Sequence, residues 1–322
     1  MIISVLALGD AFDTGLSAVL DTFSTANDLA ATSSPGAPFE VRLCGVRRNL
    51  TTHQGFRITT EKATARVRPD VVVVPALGAK TPEALQVALV RPDVIEAGAL
   101  LRRWSEKGTL VASACTSTFV VAASGLLDGR RATTTWWLAP LFRQRFPRVT
   151  LEDSEMVVAS PGVVTAGAAL AHLDLALYIV RQRSPALAAA VARYLTADVE
   201  RSQGTFAIPD QMSHEDPIVE SFERWARRHL VDRFSLQMAA RSVGASARTL
   251  DRRMRDVLGK SPLSYVQDLR VERAVHLLRT SRASVDEVAN RVGYADGVSL
   301  RNLLRRKIGR GLRELRGRPA AP

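Results

Sequence analysis

Apolar residues along this chain keep two rhythms, and the change between them falls near residue 200. In the first part, short unbroken apolar runs alternate with stretches where apolar residues recur every three or four positions. Val71-Val72-Val73-Val74, ahead of Pro75, is the clearest run. Four β-branched residues without alternation suit a strand covered on both faces, as in a parallel sheet. Ile2–Leu8, Phe39–Val46, Thr109–Ser113, Val149–Leu151, Val157–Ala159 and Val163–Ala166 predict further strands, with Phe56–Thr59 a short one. Helices are predicted over Leu16–Ala30 (Leu16, Val19, Leu20 and Phe23 on one face), Ala97–Lys107, the segment closing at Gly125, Ala168–Arg183 and Pro185–Leu195. Asp10–Gly15 reads as a loop, and Ser33-Ser34-Pro35-Gly36 as a break. Strands alternating with helices argue for an open, mostly parallel α/β sheet with helices on both sides. The ligand crevice of such a sheet lies beyond the carboxyl ends of its strands, where loops 9–15, 75–80, 113–117 and 133–137 converge.

In the second part the rhythm is helical throughout, and one unit occurs twice. The first copy runs from Ser235-Leu236-Gln237-Met238-Ala239-Ala240 to a turn at Gly244, then Ser246-Ala247-Arg248-Thr249-Leu250-Asp251-Arg252-Arg253-Met254. The second runs from Ser284-Val285-Asp286-Glu287-Val288-Ala289 to Gly293, then Ser299-Leu300-Arg301-Asn302-Leu303-Leu304-Arg305-Arg306. Ser opens each copy as an N-cap, Ala sits where two helices cross, and Gly ends the first helix. Helix, tight turn and Arg-faced helix make the helix-turn-helix plan, whose second helix enters the DNA major groove. A helix over Pro262–Leu278, with Leu263, Val266, Leu269, Ala274 and Leu277 inside, joins the copies. Before them, Asp216-Pro217 pairs an N-cap with proline at the first helical position, opening a helix Ile218–His229. The expected organisation is therefore an α/β domain 1–202, a linker 203–215 and an all-α domain 216–318, with Arg316–Pro319 frayed.

Charge follows the same division. The chain of 322 residues carries a net charge of +12, and from Ser213 onward 23 Lys and Arg stand against 13 Asp and Glu. Nearly all the excess positive charge therefore lies in the helical part, which suggests a polyanion partner for that part alone. Two cysteines, Cys44 and Cys115, make no disulfide framework and fit a reducing compartment. The first ten residues read as a strand and not as a signal peptide. No apolar stretch has the length of a membrane helix. The expectation is a cytoplasmic protein, and the sequence points to no metal or cofactor.

Segment 216–316 resembles the DNA-binding domain of the AraC/XylS family of bacterial transcription regulators. The residues that carry this are Arg248–Met254, Leu258-Gly259-Lys260-Ser261-Pro262, Leu269-Arg270-Val271-Glu272-Arg273-Ala274, Leu277-Leu278 and Val288-Ala289-Asn290-Arg291-Val292-Gly293-Tyr294. Leu300 and Leu304 stand where the family often has aromatic residues, and Gly309-Arg310-Gly311-Leu312 replaces Gly-x-Ser-Pro. Segment 1–200 is similar to the PfpI-like domain of the class I glutamine amidotransferase-like superfamily, with its flavodoxin-like sheet. Val71–Pro75, Ser113-Ala114-Cys115, Gly125–Thr133, Thr165-Ala166-Gly167 and His172–Leu177 carry that likeness. The two in this order resemble GlxA-like regulators.

The DNA resemblance implies base-edge contacts from Arg248, Asp251 and Arg252 in the first recognition helix, Ser246–Val257. From the second, Val298–Ile308, it implies Val298, Arg301 and Asn302. Arg pairs bidentately with guanine, Asn with adenine, and Asp accepts from cytosine. Arg253, Arg255, Arg305, Arg306 and Lys307 are expected toward phosphate or solvent, and Leu250, Met254, Leu300 and Leu304 toward the core. Two motifs on one linking helix suit successive major grooves about 34 Å apart.

Cys115 falls at a strand-to-helix turn, the place of a nucleophile elbow. Catalytic members of the superfamily commonly have His next to this Cys, where Thr116 stands here. The His that often precedes Trp in GlxA-like sequences is Thr135 here. His53 and His172 are not at matching positions. A nucleophile without a base is not activated. The expectation is therefore a non-catalytic sensor crevice lined by Asp13, Cys115, Thr116, Thr135 and Trp136, for an effector the sequence does not identify, in a homodimer that binds double-stranded DNA. The alternative is a PfpI-like amidase or hydrolase tethered to DNA.

Overall fold

The computed structural model describes residues 1–31, 38–196, 214, 216–281 and 283–308. The break at 33–36, linker residues 203–213 and 215, Gly309–Leu312 and the tail lie outside the described residues. The chain divides into two compact units, Met1–Gln203 and Gly204–Pro322.

The first unit runs β1 (Ile2–Leu6), α1 (Asp13–Ala31), β2 (Glu40–Gly45), β3 (Asn49–Thr51), β4 (Arg57–Thr59), β5 (Glu61–Lys62), β6 (Val71–Val74), α2 (Pro82–Leu89), α3 (Pro92–Glu106), β7 (Leu110–Ala114) and α4 (Ser117–Ala123). It continues with β8 (Arg131–Ala132), a 3-10 turn at Trp136–Leu138, α5 (Ala139–Arg145), β9 (Thr150–Leu151), β10 (Val157–Ser160), β11 (Val163–Ala166), α6 (Ala171–Arg183) and α7 (Pro185–Tyr194). Seven strands form one sheet in the order β10-β11-β7-β6-β1-β2-β5. All neighbours are parallel except β10 and β11. This is the expected flavodoxin-like architecture.

The valine run shows why the strands lack alternation. Val72 and Val74 enter the core on one face, with Leu85 of α2, Trp104 of α3 and Phe119 of α4. Val71 and Val73 enter the core on the other face, with Val19 and Phe23 of α1 and Leu175 of α6. Each buried valine side chain contributes about 1.5–3 kcal/mol. Helix α1 begins at Asp13, three residues before the expected start. Helix α3 begins at Pro92, five residues early, and α2 has no counterpart among the expected helices. Thr81 caps α2 by accepting from Ala84 N (3.3 Å), ahead of Pro82.

The second unit runs α8 (Pro217–Arg228), α9 (Leu236–Ser242), α10 (Ala247–Leu258), α11 (Pro262–Thr280), α12 (Val285–Arg291) and α13 (Gly297–Ile308). Asp216, Ser235, Ser246, Ser261 and Ser284 each cap the helix that follows, and such a cap contributes about 1 kcal/mol. Val266, Leu269 and Ala274 of α11 are buried as expected, but Leu263 is 46% exposed. It lies in the first turn of α11, one residue before Ser264 and two before the fully buried Tyr265.

His172 braces the first unit from within. It is fully buried, and its Nε2 accepts from Ala76 N at 3.0 Å while Nδ1 donates to the Ala169 carbonyl at 2.7 Å. The ring lies so close to Gly15 that a Cβ there would sit 2.6 Å away. One neutral imidazole thus ties α1, the loop after β6 and the start of α6. Burial pushes its pKa down to about 4. The unfolded chain therefore takes up this proton first, near pH 6.5. The stability contribution is complete above that pH and is lost as pH falls toward about 4, to a total on the order of 3 kcal/mol. Urea denaturation at successive pH values should show this acid slope, and His172→Gln should flatten it. A slope unchanged by the substitution would show that other groups set it.

Candidate functional site

Two places in the molecule carry chemistry, one in each unit. In the first unit, loops meet at the carboxyl ends of β1, β6 and β7. Gly78 N donates to Asp10 O (2.7 Å), Phe12 N to Ala76 O (2.7 Å), Thr116 Oγ1 to Leu77 O (2.8 Å) and Thr134 Oγ1 to Cys115 O (2.8 Å). These bonds join the segments around residues 10–12, 76–78, 115–116 and 134.

Cys115 occupies the turn between β7 and α4 with φ +58°. A left-handed conformation is unusual for a residue other than Gly, and strain of this kind is concentrated at functional sites. Ala166 O accepts from its backbone N–H at 2.9 Å, fixing the turn to β11. Burial pushes the thiol up to about 11, only partly opposed by the Thr116 N–H and the Thr135 and Thr116 hydroxyls. The sulfur is therefore a protonated thiol near neutral pH, and the thiolate is the nucleophilic form. Thr135 is itself fully buried, and its hydroxyl completes no hydrogen bond of ordinary geometry. Trp136 is buried, and it meets the half-buried Trp137 edge-on, centroids 5.5 Å apart. Asp13 opens α1 and accepts from Gln54 N at 2.9 Å.

One polar pair in this region is not foreseen from the sequence. Asp10, also left-handed at φ +59°, holds His53 Nδ1 at 2.8 Å. His53 packs on Gly78, whose notional Cβ would lie 2.1 Å from the ring. Its only sequence signal is a histidine ahead of a short predicted strand. Both histidines of the first unit are thus engaged away from Cys115, His53 with Asp10 and His172 with backbone groups.

In the second unit, the two copies fold alike. Gly244 (φ +68°) and Gly293 (φ +81°) make the left-handed turns. In each copy the same bond closes the turn: Ala245 N to Ala240 O and Tyr294 N to Ala289 O, both 2.9 Å. Ala239 and Ala289 are fully buried at the crossings, and Leu250, Met254, Leu300 and Leu304 fill the core as expected. Asp286 of α12 accepts from Gly297 N at 2.7 Å, and Asp296 accepts from Ser299 N at 2.8 Å, so α13 starts from a braced end.

Arg248 and Arg252 of α10 are exposed, as are Val298, Arg301, Asn302 and Arg305 of α13. Asp251 is half-buried and paired with Arg255 (2.9 Å) one turn on. Arg253, expected toward phosphate or solvent, is partly exposed and has a partner within the unit. It closes an ion pair at 2.9 Å with Asp216, whose other oxygen caps α8 by accepting from Ile218 N and Val219 N. Arg253 thereby binds α10 to α8.

The fold and these sites define a two-unit chain, an α/β crevice unit followed by a duplicated helix-turn-helix unit. A DJ-1/PfpI family model matches residues 6–182, and a helix-turn-helix domain model matches residues 239–318. The first match spans more than half of the chain, and the chain belongs to the DJ-1/PfpI family. The order is thus a DJ-1/PfpI domain followed by an AraC-type helix-turn-helix domain, as the sequence resemblances implied. Among relatives, the chain is similar to the HTH-type transcriptional regulator GlxA of Rhizobium meliloti, 30% identical over 217 residues, 64% of each chain. It is also similar to the HTH-type transcriptional regulator CdhR of Pseudomonas aeruginosa, 27% identical over 202 residues, 60% of this chain and 59% of that one. The match thus spans less than two thirds of either regulator. Among solved structures, an AraC family transcriptional regulator from Pseudomonas putida shares the fold with TM-score 0.51 and 18% identity, over 60% of this chain and 98% of that one.

Two outcomes are expected. Iodoacetamide should leave Cys115 unmodified in the folded protein near neutral pH and modify it on unfolding, as read by mass spectrometry. Fast modification of the native protein would show a more acidic, more open thiol. Arg253→Ala should lower the melting stability of the second unit by about 1 kcal/mol, kept small because the arginine is partly exposed. Arg248→Ala, on a free exposed side chain, should leave it unchanged.

Proposed function

We propose that this chain is a cytoplasmic, sequence-specific DNA-binding transcription regulator, with a non-catalytic DJ-1/PfpI domain that senses a small-molecule effector. The observation that carries the DNA reading is the duplication. Two helices of the same construction each present exposed polar side chains outward from a buried leucine core: Arg248 and Arg252 on α10, Arg301 and Asn302 on α13. They sit in the segment that holds nearly all the excess positive charge, which is the electrostatic footprint of a nucleic-acid binder. The names of the relatives agree with it. The proposed division is a sensor domain 1–202, a linker 203–215 and a DNA-binding domain 216–318, with two chains acting as a homodimer.

The sensor reading rests on Cys115 and Thr135. A raised thiol pKa and the engagement of both nearby histidines elsewhere argue against hydrolysis at Cys115. The Thr135 hydroxyl has only the Cys115 thiol, a weak partner, beside it, which leaves it able to turn to a polar group of a bound effector. The lining is Asp13, Cys115, Thr116, Thr135 and Trp136.

Selection from genomic fragments at near-physiological salt tests the DNA reading. The protein should recover one motif with two half-elements about one helical turn apart. Arg248→Ala and Arg301→Ala should each cost about 1–3 kcal/mol at one position of that motif. Recovery of random fragments by the wild type would reduce the basic unit to an anchor and reopen the tethered-hydrolase alternative.

A further inference from the structure

The two recognition helices meet on a single carboxylate. Asp268, on α11, takes Lys260 Nζ on Oδ2 at 2.9 Å and Lys307 Nζ on Oδ1 at 2.8 Å. Lys260 lies two residues beyond the end of α10, and Lys307 lies in the last turn of α13. All three side chains are less than one quarter exposed, so solvent screens the bridge less than it would a surface pair. Lys307 also donates to Ser264 Oγ at 2.7 Å, and Arg306 donates to Gln267 Oε1 at 3.1 Å. Both partners lie on α11, beside Asp268.

A second clamp sits two residues on. Arg270, 6% exposed, donates to Leu230 O (2.8 Å) and Asp232 O (2.6 Å), in the segment leading into the first helix-turn-helix. Its guanidinium lies over the Tyr294 ring, 5.1 Å from the centroid, in the turn of the second. The two motifs are therefore joined twice, once between the carboxyl ends of the recognition helices and once between the segments that precede them.

We infer that Asp268, backed by Arg270, is a positioning residue that sets the separation of α10 and α13 and hence the half-site spacing the protein accepts. The inference rests on the DNA reading for its consequence, but not for its geometry. Without the carboxylate, two ammonium groups face one another with no counter-charge, and their repulsion acts to part the carboxyl ends of the two recognition helices.

The first test needs no DNA. Spin labels at Asp256→Cys and Asn302→Cys, with the buried Cys44 and Cys115 left in place, report the distance between α10 and α13 by pulsed electron resonance. The wild-type background should give one narrow distribution and Asp268→Ala a broader one at longer distance. Asp268→Asn combined with Lys307→Gln, uncharged but still hydrogen-bonding, should restore most of the narrowness. Lys307→Met, which breaks one arm of the bridge and leaves Lys260 paired, keeps the test open should Asp268→Ala fail to fold. An unchanged distribution in these variants overturns the inference.

The second test uses duplexes carrying the selected half-elements at the recovered spacing and with one or two base pairs added or removed. Wild-type affinity should fall about tenfold or more off the preferred spacing, the equivalent of one poor base contact. Asp268→Ala should flatten that profile and still bind a single half-element as the wild type does. Equal loss at every spacing, half-element included, would mean that Asp268 serves stability alone. If the wild type selects no motif, the functional reading fails while the label distances still decide the geometry.

Discussion

A pair of short helices cannot bury a core of its own, and this constraint shapes the second unit. Helices α9 and α12 have seven residues each, too few to be stable alone. The first pair finds its missing surface mainly on α8, and the second on α11. Tyr265, fully buried, packs against Phe222 of α8 (5.8 Å) on the side of the first motif. Val271, Ala274 and Leu278 enter the core that holds Val288, Leu300 and Leu304 of the second. One 19-residue helix thus walls the second motif directly and meets the first through α8, which is why it carries buried residues along its length.

In the first unit, backbone geometry and electrostatics pull one thiol in opposite directions. Cys115 holds the left-handed turn of a nucleophile elbow, yet the low-dielectric surroundings keep its proton on. The imidazole of His172 is spent as a strut between three backbone segments, and that of His53 on a carboxylate at the rim. Around the thiol lie buried hydroxyls, those of Thr116 and Thr135, and the indole of Trp136.

Much of this is legible in the sequence, for identifiable reasons. The valine run, the Ser and Asp caps ahead of the helices, and the paired glycines are local signals, and the structure keeps each of them. Signals that depend on distant partners are not legible. Arg253 looks like any exposed arginine of α10 until Asp216, far back at the start of α8, is placed beside it. His172 reads as one more polar residue on a helix, and only the close approach of Gly15 reveals a buried brace. Asp268 lies 8 residues from one lysine, across a helix boundary, and on a different helix from the other, separations that no helical period relates. Helix α2 escapes a reading of the pattern because Pro82 and an intervening glutamine obscure a short apolar face, although Thr81-Pro82 is a cap signal of the same kind as Asp216-Pro217.

The repeated unit is the same in backbone and different in its outward residues. Arg248, Asp251 and Arg252 occupy one helix, and Val298, Arg301 and Asn302 the corresponding face of the other. If these two faces read DNA as proposed, a reading head of two unlike halves has polarity. It distinguishes a sequence from its reversal, so each copy of the chain would settle on a duplex facing one way only, and the orientation of its binding element relative to a gene would become information that a symmetric head cannot use.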